Sequence, residues 1–513
     1  MESNRNVFIT GKAGTGKSTL LSYFRSHTGK KIVVLAPTGV AALNIQGETI
    51  HSFFGFKPGI APGKVRKVRS RKKIIYKKLD SIIIDEISMV RADLLDCIDR
   101  FMRLNGTDSK KPFGGTQMIF IGDLYQLPPV VTGRERDMFK LQYESPYFFS
   151  ADVFAELGME YIELEKVYRQ KDKIFIDLLN AIRNNSISDQ DLRLLNSRVG
   201  KELPGREKNG YEIHLVTTNL MASIINEEHL SRLRTKIYTS QAEISGNFKR
   251  ESYPTYEELK LGVGAQVMLL NNDSKGRWVN GSIGMIVEIR GHSGIDEEII
   301  VVALSSGELV DVAPFSWEIF HFDYDEKTGA IESEIVGSFT QYPLKLAWAI
   351  TIHKSQGKTF EKVTIDMGQG AFAHGQTYVA LSRCTSLEGI ALKKPIRRSH
   401  IIMDRKIVDF LTSYQYLLSE IEMSLADKLC LIRKAIDNEQ WLEILYLKTS
   451  DVKSRRVIKP REVGERLYLD KSFIGVDAYC LNRRENRVFR VDQILEMKIL
   501  DKTAARPARI NEN

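Results

Sequence analysis

Short apolar runs alternate with helix-forming stretches over about the first 190 residues. Apolar runs of strand length occupy residues 7–10, 32–35, 82–84 and 117–121. Between the last two, apolar side chains recur at helical spacing from Leu94 to Met102 and mark one face of an amphipathic helix. Because strands that alternate with helices form parallel sheets, this pattern predicts an α/β fold with a ligand at the carboxyl ends of the strands.

The pattern changes twice further along the chain. From Gly262 to about Tyr342, short β segments separated by glycine turns predict a small β insertion. Helix and strand character then resume up to a boundary between Ser413 and Ser424. Beyond it, one apolar helix face and several strand-like runs predict a separate small domain. The apolar positions of that helix are Leu425, Leu429, Ile432 and Ile436.

The composition is typical of a globular protein with a polyanionic partner. The chain has 513 residues, of which 43% are hydrophobic and 27% charged, with a net charge of +9 and a pI of about 9.1. This charge favours nucleic acid or an acidic protein as the partner. No apolar run reaches membrane-span length, the amino terminus lacks the pattern of a signal peptide, and the four cysteines have no paired or metal-ligand spacing. We therefore expect a cytoplasmic protein with no membrane partner.

The segment GKAGTGKST at residues 11–19 follows the first apolar run and matches the P-loop pattern G-x-x-x-x-G-K-[ST]. Gly11, Gly14 and Gly16 allow the backbone N–H groups and the next helix to point at a triphosphate. Lys17 adds positive charge, and Ser18 provides a hydroxyl for Mg²⁺. A chance turn of glycine and lysine is the alternative, but the strand before the loop and the helix after it favour a nucleotide site.

Two adjacent carboxylates follow the apolar run at residues 82–84. In P-loop NTPases the two carboxylates of such a pair have different roles. Asp85 would bind Mg²⁺, and Glu86 would polarise the attacking water. An exposed acidic pair is the alternative, which the three preceding β-branched residues disfavour. After the next strand, Gln126 is placed where a neutral donor could reach the γ-phosphate.

A basic run from Lys64 to Lys78 contains nine basic residues and no acidic one. A solvated, disordered surface is the usual explanation of such a run. Four rings precede it, however, and rings beside positive charge are typical of single-strand binding. Both explanations stay open at this point. The rings belong to His51, Phe53, Phe54 and Phe56.

Seven segments occur in a recognisable order: GKAGTGKST, APTGVAALN, IIIDEIS, FIGDLYQLPPV, VYRQ, TIHKSQGKTF and YVALSR. Together they resemble the motifs of superfamily-one DNA helicases, and among these the petite-integration-frequency (Pif) family, relatives of RecD. The resemblance covers about residues 6–409. It implies two RecA-like P-loop NTPase domains with parallel sheets, which bind ATP between them. The implied domains are residues 1–190, with a wedge insertion at about 55–78, and residues 191–412, with a small β-barrel insertion at about 262–342.

The same resemblance implies roles for individual residues. Asp85 and Ser18 would bind Mg²⁺, Glu86 would be the catalytic base and Gln126 the γ-phosphate sensor. Arg169 and Arg383 would be arginine fingers, with a structural ion pair as the alternative for each. The implied catalytic residues are Lys17, Glu86, Gln126, Arg169 and Arg383. The implied nucleotide contacts are Gly11, Gly14, Thr15, Gly16, Lys17, Ser18, Thr19 and Gly357.

Six further positions match the single-strand path of the family, mostly as contacts to phosphate: Thr38, His51, Thr351, His353, Lys354 and Ser355. One family feature is missing, a glutamine-bearing helix upstream that reads adenine. Here only residues 1–6 precede the first strand, and no glutamine occurs before Gln46. Either the chain starts late or another residue caps the base, so selectivity for ATP over other nucleotides is open.

The tail, at about residues 424–501, resembles a WYL domain, a small β-barrel module. The matching residues are Tyr446, Arg456, Pro460, Tyr479, Arg487, Phe489 and Arg490. The Trp-Tyr-Leu triplet that names this family falls on Phe473-Ile474-Gly475, so this match is less specific. Basic residues interleaved with rings favour a second contact to DNA, with packing on the motor or binding of a small anion as alternatives.

The sequence therefore predicts an ATP- and Mg²⁺-dependent DNA helicase that moves 5′ to 3′ on single-stranded DNA and unwinds duplex. The polarity is implied by the resemblance alone. The expected partners are single-stranded DNA and forked or partial duplex DNA, and the oligomeric state is open, with a monomer among the options. The alternatives are a DNA-stimulated translocase and a nucleotide-gated DNA-binding regulator, both without strong unwinding.

Overall fold

The structure is a computed structural model that describes residues 1–57, 59–68, 73–131, 139, 141–203, 213–278, 280–291, 298–304, 306–324, 331–468 and 471–500. The chain divides into two compact units, Met1–Met403 and Asp404–Asn513. All seven helicase-like segments lie in the first unit. Within the predicted wedge and its basic run, residues 58 and 69–72 lie outside the described residues.

The first unit contains strands of both parallel and antiparallel sheets. Its strands are β1 (Asn6–Gly11), β2 (Ile32–Ala36), β3 (Glu48–Thr49), β4 (Ser81–Ile84), β5 (Gln117–Ile121), β6 (Met159–Leu164), β7 (His214–Val216), β8 (Ile237–Gln241), β9 (Glu243–Gly246), β10 (Glu258–Gly262), β11 (Gln266–Leu269), β12 (Ile283–Gly291), β13 (Glu298–Leu304), β14 (Leu309–Val312), β15 (Phe315–Tyr324), β16 (Ile331–Gln341), β17 (Leu344–Leu346), β18 (Ala349–Thr351), β19 (Val363–Asp366) and β20 (Ile390–Leu392). Its α-helices among the described residues are α1 (Lys17–His27), α2 (Gly39–Asn44), α3 (Ile50–Phe54), α4 (Lys73–Lys78), α5 (Ala92–Asn105), α6 (Lys173–Arg183), α7 (Asp189–Asn196), α8 (Asn219–Ser231) and α9 (Gln376–Ser382).

A six-stranded parallel sheet organises the first part of this unit, in the order β3-β2-β4-β5-β1-β6. Its apolar strands are buried on both faces, as expected when helices cover a parallel sheet. The core between the sheet and α1 contains Val7, Ile9, Leu21, Phe24, Val34, Ile83, Ile119 and Ile121. The predicted parallel α/β arrangement is confirmed, and it brings the carboxyl ends of β1, β4 and β5 to one edge.

The aromatic residues before the basic run belong to the core, which corrects their interpretation as base-stacking rings. Phe53, Phe54 and Phe56 are buried. Their rings pack with Tyr76 and Phe101, for example with centroids 5.1 Å apart for Phe54 and Phe101. The apolar face of α5 packs against this cluster of rings. These rings therefore cover the apolar face that the amphipathic pattern of α5 predicts.

A four-stranded parallel sheet, in the order β18-β7-β19-β20, organises the second part of the unit. Antiparallel sheets are inserted between β7 and β18, in the orders β14-β13-β12-β11-β17, β15-β16-β9 and β10-β8. The largest of them has its own apolar core, which includes Trp278 and Trp348. These antiparallel strands begin at Ile237, upstream of the predicted start of the insertion at Gly262. The sequence pattern did not reveal the first two of them because β8 and β9 are largely exposed and contain few apolar residues.

The second unit begins with two helices, α10 (Arg405–Glu422) and α11 (Leu425–Asp437), followed by strands β21 (Trp441–Lys448), β22 (Val452–Tyr468), β23 (Lys471–Cys480), β24 (Glu485–Arg490) and β25 (Ile494–Leu500). The strands form an antiparallel sheet in the order β24-β23-β22-β21-β25. The predicted apolar face of α11 packs on its core. The second unit begins at Asp404, so the whole of α10 belongs to it.

No helix in the described part of the chain is both long enough and apolar enough to cross a bilayer.

Candidate nucleotide-binding and catalytic site

The P-loop connects β1 to α1, as its sequence predicts. Gly16 caps the helix at φ 88°, in the left-handed region that favours glycine. Gly14 is tightly approached, since an added Cβ would lie 2.5 Å from Cβ of Arg169. The backbone N–H of Tyr168 also donates to the carbonyl oxygen of Gly14 at 2.9 Å. The glycines therefore fit both the loop conformation and its contact with the VYRQ segment.

Lys17 lies inside the curve of the loop. Its Nζ donates to the carbonyl oxygens of Gly11 and Lys12 at 2.7 and 3.1 Å. Burial lowers the pKa of Lys17, and the nearby carboxylates of Asp123 and Glu86 oppose that shift. The ammonium group is thus partly desolvated at the loop, where a triphosphate would be a stronger partner than two carbonyls.

The carboxylate pair stands at the end of β4. Asp85 is buried, and Glu86 has φ 51° and ψ 43°, a left-handed conformation that is uncommon outside glycine. Burial raises the pKa of Asp85, while burial and the neighbouring Asp85 raise the pKa of Glu86 to about 7. Strained backbone and a shifted pKa are typical of functional positions.

Gln126 is oriented by a buried charge that the sequence interpretation did not assign. Its Nε2 donates to Oδ2 of Asp123 at 3.2 Å. Asp123 is fully buried, with Nη2 of Arg183 3.7 Å away, and the Arg183 guanidinium lies 3.7 Å from the centroid of the Tyr125 ring. The only local signal for Asp123 is a Gly-Asp pair after an apolar strand, whereas nothing near Arg183 indicates its role.

The two predicted arginine fingers lie close to each other beside the P-loop. Nη1 of Arg169 donates to the carbonyl oxygen of Ser382 at 3.1 Å. Arg383 is buried, and its Nε and Nη2 donate to Val379 O and Ser382 Oγ, each at 3.0 Å. Burial, with Arg169 nearby, lowers the pKa of Arg383 to about 9. Neither arginine has an ion pair with a described carboxylate, which disfavours a purely structural ion pair.

These groups converge on a cavity of about 840 Å³. The predicted residues that line it are Gly14, Thr15, Gly16, Lys17, Ser18, Thr19, Glu86, Gln126, Arg169, Gly357 and Arg383. Gly11 and Asp85 are not in the lining, although Gly11 contacts Lys17 and Asp85 adjoins Glu86. Tyr23, Tyr168 and Thr359 also line the cavity and were missed, although Tyr168 lies in the VYRQ segment and Thr359 in the TIHKSQGKTF segment.

The residues fit ATP with Mg²⁺. The loop and Lys17 suit phosphates, and the hydroxyl of Ser18 with the carboxylate of Asp85 is the hard oxygen set that Mg²⁺ prefers. Asp85 and Glu86 both have raised pKa values because of burial. A divalent cation beside them would favour their charged forms.

The predicted DNA-contacting residues of the first sheet differ in exposure. Thr38 is exposed before α2, and its Oγ1 accepts the N–H of Ala41 at 3.3 Å. His51 is half-buried in α3, and burial with Lys249 nearby lowers its pKa. Thr38 thus remains open to a partner.

The other four lie at the end of β18 and in the turn that follows it. Lys354 is exposed, and the half-buried His353 ring stacks near Phe372 with centroids 6.2 Å apart. Thr351 and Ser355 are buried, where Thr351 Oγ1 accepts the N–H of Lys354 and Ser355 Oγ donates to Ile352 O. These two hydroxyls therefore hold the turn that presents Lys354.

Comparisons with known proteins agree with this geometry. Residues 1–193 match the family model of the PIF1-like helicase. The ATP-dependent DNA helicase Pif1 of Bdellovibrio bacteriovorus is 33% identical over 425 residues, which cover 81% of this chain and 90% of that protein. The chain belongs to the PIF1-like helicase family.

Solved PIF1-like structures share the fold of the first unit. Bacteroides sp Pif1 in complex with ADP-AlF4 is 39% identical, with a TM-score of 0.73 over 80% of this chain and 94% of that one. Bacteroides Pif1 bound to ssDNA covers the same shares with a TM-score of 0.59. The parallel-sheet core is therefore the RecA-like core of the family. The human ATP-dependent DNA helicase PIF1 is 35% identical over 397 residues, and this chain spans 58% of its length.

The second unit contains a WYL domain, whose family model matches residues 427–499. Its rings are less available than the sequence suggests, since Phe489 is buried and the hydroxyl of Tyr446 donates to Gln493 Oε1 at 2.5 Å. Several of its basic residues face carboxylates: Arg455 with Glu443 and Glu496, Lys459 with Glu439, Arg487 with Glu485, and Arg490 with Asp492. The expectation of exposed rings beside this charge is therefore wrong for Phe489, whereas Tyr446 and Tyr479 are half-buried.

Proposed function

We propose that this PIF1-like chain is an ATP- and Mg²⁺-dependent DNA helicase that translocates 5′ to 3′ on single-stranded DNA and unwinds duplex ahead of it. The observation that carries the proposal is the cavity in which the P-loop, Glu86, Gln126 and two arginines meet. Phosphoryl transfer needs positioned charge more than covalent chemistry, and this cavity concentrates positioned charge.

Each cavity group has a distinct role in the proposal. Lys17 and the loop N–H groups bind the phosphates, and Gln126, held by Asp123, reports the γ-phosphate. Glu86 accepts the proton of the attacking water. Arg169 and Arg383 stabilise the charge that develops on the transferring group. Ser18 and Asp85 would hold Mg²⁺, which neutralises phosphate charge when bound.

The proposed partners are single-stranded DNA and forked or partial duplex DNA. Support comes from solved relatives, because Bacteroides Pif1 was solved bound to ssDNA and a further Pif1 structure concerns DNA unwinding at forked dsDNA by two coordinating Pif1 helicases. The proposed path runs over Thr38, His51, His353 and Lys354, with Thr351 and Ser355 shaping the last turn. Repeated opening and closing of the nucleotide cavity would move the strand along this path.

We propose the domain boundaries on the same basis. Residues 1–190 would be the first RecA-like domain with a wedge at about 55–78, and residues 191–412 the second, whose insertion folds as a small β-barrel. The WYL domain, at about 424–501, would be a second small barrel. Digestion by a protease at low concentration, followed by mass spectrometry of the fragments, tests these boundaries.

The deciding experiment measures ATP hydrolysis with and without single-stranded DNA, and then unwinding of a forked duplex. We expect DNA to stimulate hydrolysis and the fork to open, and we expect Lys17→Ala to abolish both. Hydrolysis that DNA does not stimulate would contradict a DNA motor and favour the nucleotide-gated regulator. Stimulated hydrolysis without fork opening would favour the translocase.

A further inference from the structure

A second cavity, of about 320 Å³, lies in the first unit and shares no lining residue with the nucleotide cavity. Four cationic side chains line it, with a single carboxylate: Arg250, Lys345, Lys354, Lys358 and Glu257. The carboxylate of Glu257 lies 3.9 Å from the Arg250 guanidinium. Three lysines thus share a cavity whose one carboxylate already has an arginine neighbour.

Two of the three lysines, Lys358 and Lys345, have neutral neighbours. Nζ of Lys358 donates to Asn280 Oδ1 at 2.6 Å, and Asn280 Nδ2 donates to Asn44 Oδ1 at 3.1 Å. Nζ of Lys345 lies 5.6 Å from the centroid of the Tyr256 ring. This network joins α2 to the antiparallel insertion and the β18 turn, so the cavity is built from three separate parts of the chain.

The electrostatics of the lysines favour an incoming anion. Burial, together with the nearby charges of Lys354 and Lys358, lowers the pKa of Lys345 to about 7. Burial lowers the pKa of Lys358 to about 8. The protein therefore bears a cost when all three lysines are charged, and an anion among them would relieve it.

We infer that this cavity binds a backbone phosphate of the single-stranded DNA, and that Lys345 contacts that phosphate and takes up a proton as DNA binds. The inference rests on the proposed function. Lys354 belongs to the TIHKS segment of the proposed path, and Asn44 ends the helix that begins just after Thr38. Tyr253, Tyr256 and Trp317 add apolar walls, which suit a sugar or base next to the phosphate.

The direction of the pH effect follows from the charges around Lys345. Lys354 and Lys358 disfavour its charged form, while Arg250 and Glu257, the other charged groups of the lining, lie 3.9 Å from each other. At pH 8 Lys345 is mostly neutral in the free protein, because its pKa is about 7. A bound phosphate favours the ammonium form and raises that pKa. DNA affinity should therefore fall as pH rises above about 7, and binding near pH 8 should take up protons.

The test compares the full chain with three variants. Lys345→Met removes the charge, Lys345→Arg keeps a charge that does not titrate, and Lys236→Met removes an exposed lysine outside the cavity as the control. Fluorescence anisotropy with dye-labelled oligothymidine gives affinity across salt concentration and pH. Calorimetry at pH 8 in two buffers of different ionisation enthalpy gives the protons taken up. Thermal unfolding checks that each variant folds.

We expect Lys345→Met to reduce the slope of log affinity against log salt by about 0.7, the value for one phosphate contact on a single strand. It should also lose the share of the proton uptake that belongs to Lys345, while Lys358, whose pKa is about 8, still takes up protons. Lys345→Arg should keep the parental slope and still take up fewer protons than the parent, so it remains informative if the methionine variant does not fold. Lys236→Met should behave as the parent.

A parental salt slope in Lys345→Met would overturn the phosphate contact, and parental proton uptake in both Lys345 variants would overturn the proton assignment. Calorimetry with inorganic phosphate distinguishes a site for free anions from a site for the phosphates of DNA. If Lys345→Met loses only the binding of inorganic phosphate, the DNA assignment is overturned. Failure of the proposed function is separate, because the parent itself would then neither bind oligothymidine nor be stimulated by it.

Discussion

The backbone N–H of Ala13 donates to the hydroxyl oxygen of Tyr378 at 3.0 Å, across 365 residues of sequence. The bond is buried and joins the P-loop to α9, the helix that leads directly into Arg383. A buried hydrogen bond therefore connects the P-loop directly to the helix that precedes one proposed arginine finger.

Replacing Tyr378 by phenylalanine should uncouple the two elements. The ring stays, but the buried Ala13 N–H loses its acceptor, at a cost of roughly 1–3 kcal/mol. We expect kcat/KM for ATP to fall by about tenfold and the thermal unfolding temperature to drop. Tyr468→Phe, at an exposed position in the second unit, is the control. Parental kinetics in Tyr378→Phe would show that this hydrogen bond does not support catalysis.

Glu86 should control the pH dependence of hydrolysis. A catalytic base must be deprotonated, and burial with Asp85 raises the pKa of Glu86 to about 7. We therefore expect kcat/KM for ATP to rise with pH through about 7 and to fall below it, because this quantity reports the free enzyme.

Glu86→Gln should keep ATP binding but lose at least ~100-fold in turnover, since the amide retains the shape and cannot accept the proton. Glu361→Gln, at an exposed position, controls for loss of a charge. Fluorescent-nucleotide binding and steady-state hydrolysis from pH 5.5 to 9 measure both effects. Parental turnover in Glu86→Gln would refute the assignment of the base.

The sequence was sufficient where chemistry is local. The P-loop and the Asp85–Glu86 pair are each a short motif that directly follows an apolar strand. The structure places both at the ends of these strands, as predicted. The rings of Phe53, Phe54 and Phe56 were misinterpreted because their partners, Tyr76 and Phe101, are remote in sequence, so composition alone suggested a surface.

Contacts between distant segments were beyond local patterns. The Tyr378–Ala13 bond, and the two carbonyl oxygens of Ser382 and Cys384 that accept from Gln170 Nε2, depend on how the two parallel sheets meet. The same holds for Arg183, whose partner Asp123 lies on another element. Such pairs need the tertiary arrangement, which the periodicity of single segments does not contain.

Tyr23 should supply the stacking surface for the nucleotide base. It would then hold the base in place of the upstream glutamine helix, which this chain lacks. Its ring is 63% exposed, lines the nucleotide cavity and stacks on His27 with centroids 4.1 Å apart. Tyr168, 64% exposed, lines the same cavity. Aromatic stacking is worth roughly 1–3 kcal/mol per base and tolerates any base.

We therefore expect Tyr23→Ala to raise KM by about tenfold for ATP and GTP alike, with Tyr23→Phe close to the parent. Steady-state hydrolysis with each nucleotide is the measurement. An unchanged KM would exclude Tyr23 as the stacking residue, and a loss confined to ATP would show that it reads adenine rather than stacking on any base.

The second unit should tune the motor without powering it. Every residue that lines the nucleotide cavity precedes Met403, where the first unit ends. A protein that ends at Ser413 would cut through α10, whose Tyr416 and Ser419 bond to Leu447 and Ile494 of the second unit. A protein that ends at Met403 is the cleaner truncation, and we expect it to fold and to retain DNA-stimulated ATP hydrolysis.

We expect that truncated protein to bind single strands more weakly at low salt, and residues 404–500 alone to bind them measurably. Three exposed arginines on β22 and in the turn before β24 have no described carboxylate partner, and these are the proposed phosphate contacts: Arg461, Arg483 and Arg484. Arg483→Gln with Arg484→Gln should therefore weaken binding by the isolated unit. Arg487→Gln, whose arginine already pairs with Glu485, is the matched control and should change it little. If the isolated unit does not bind and truncation leaves affinity and unwinding unchanged, this unit does not contact DNA, and its arginines serve packing or a small anion instead.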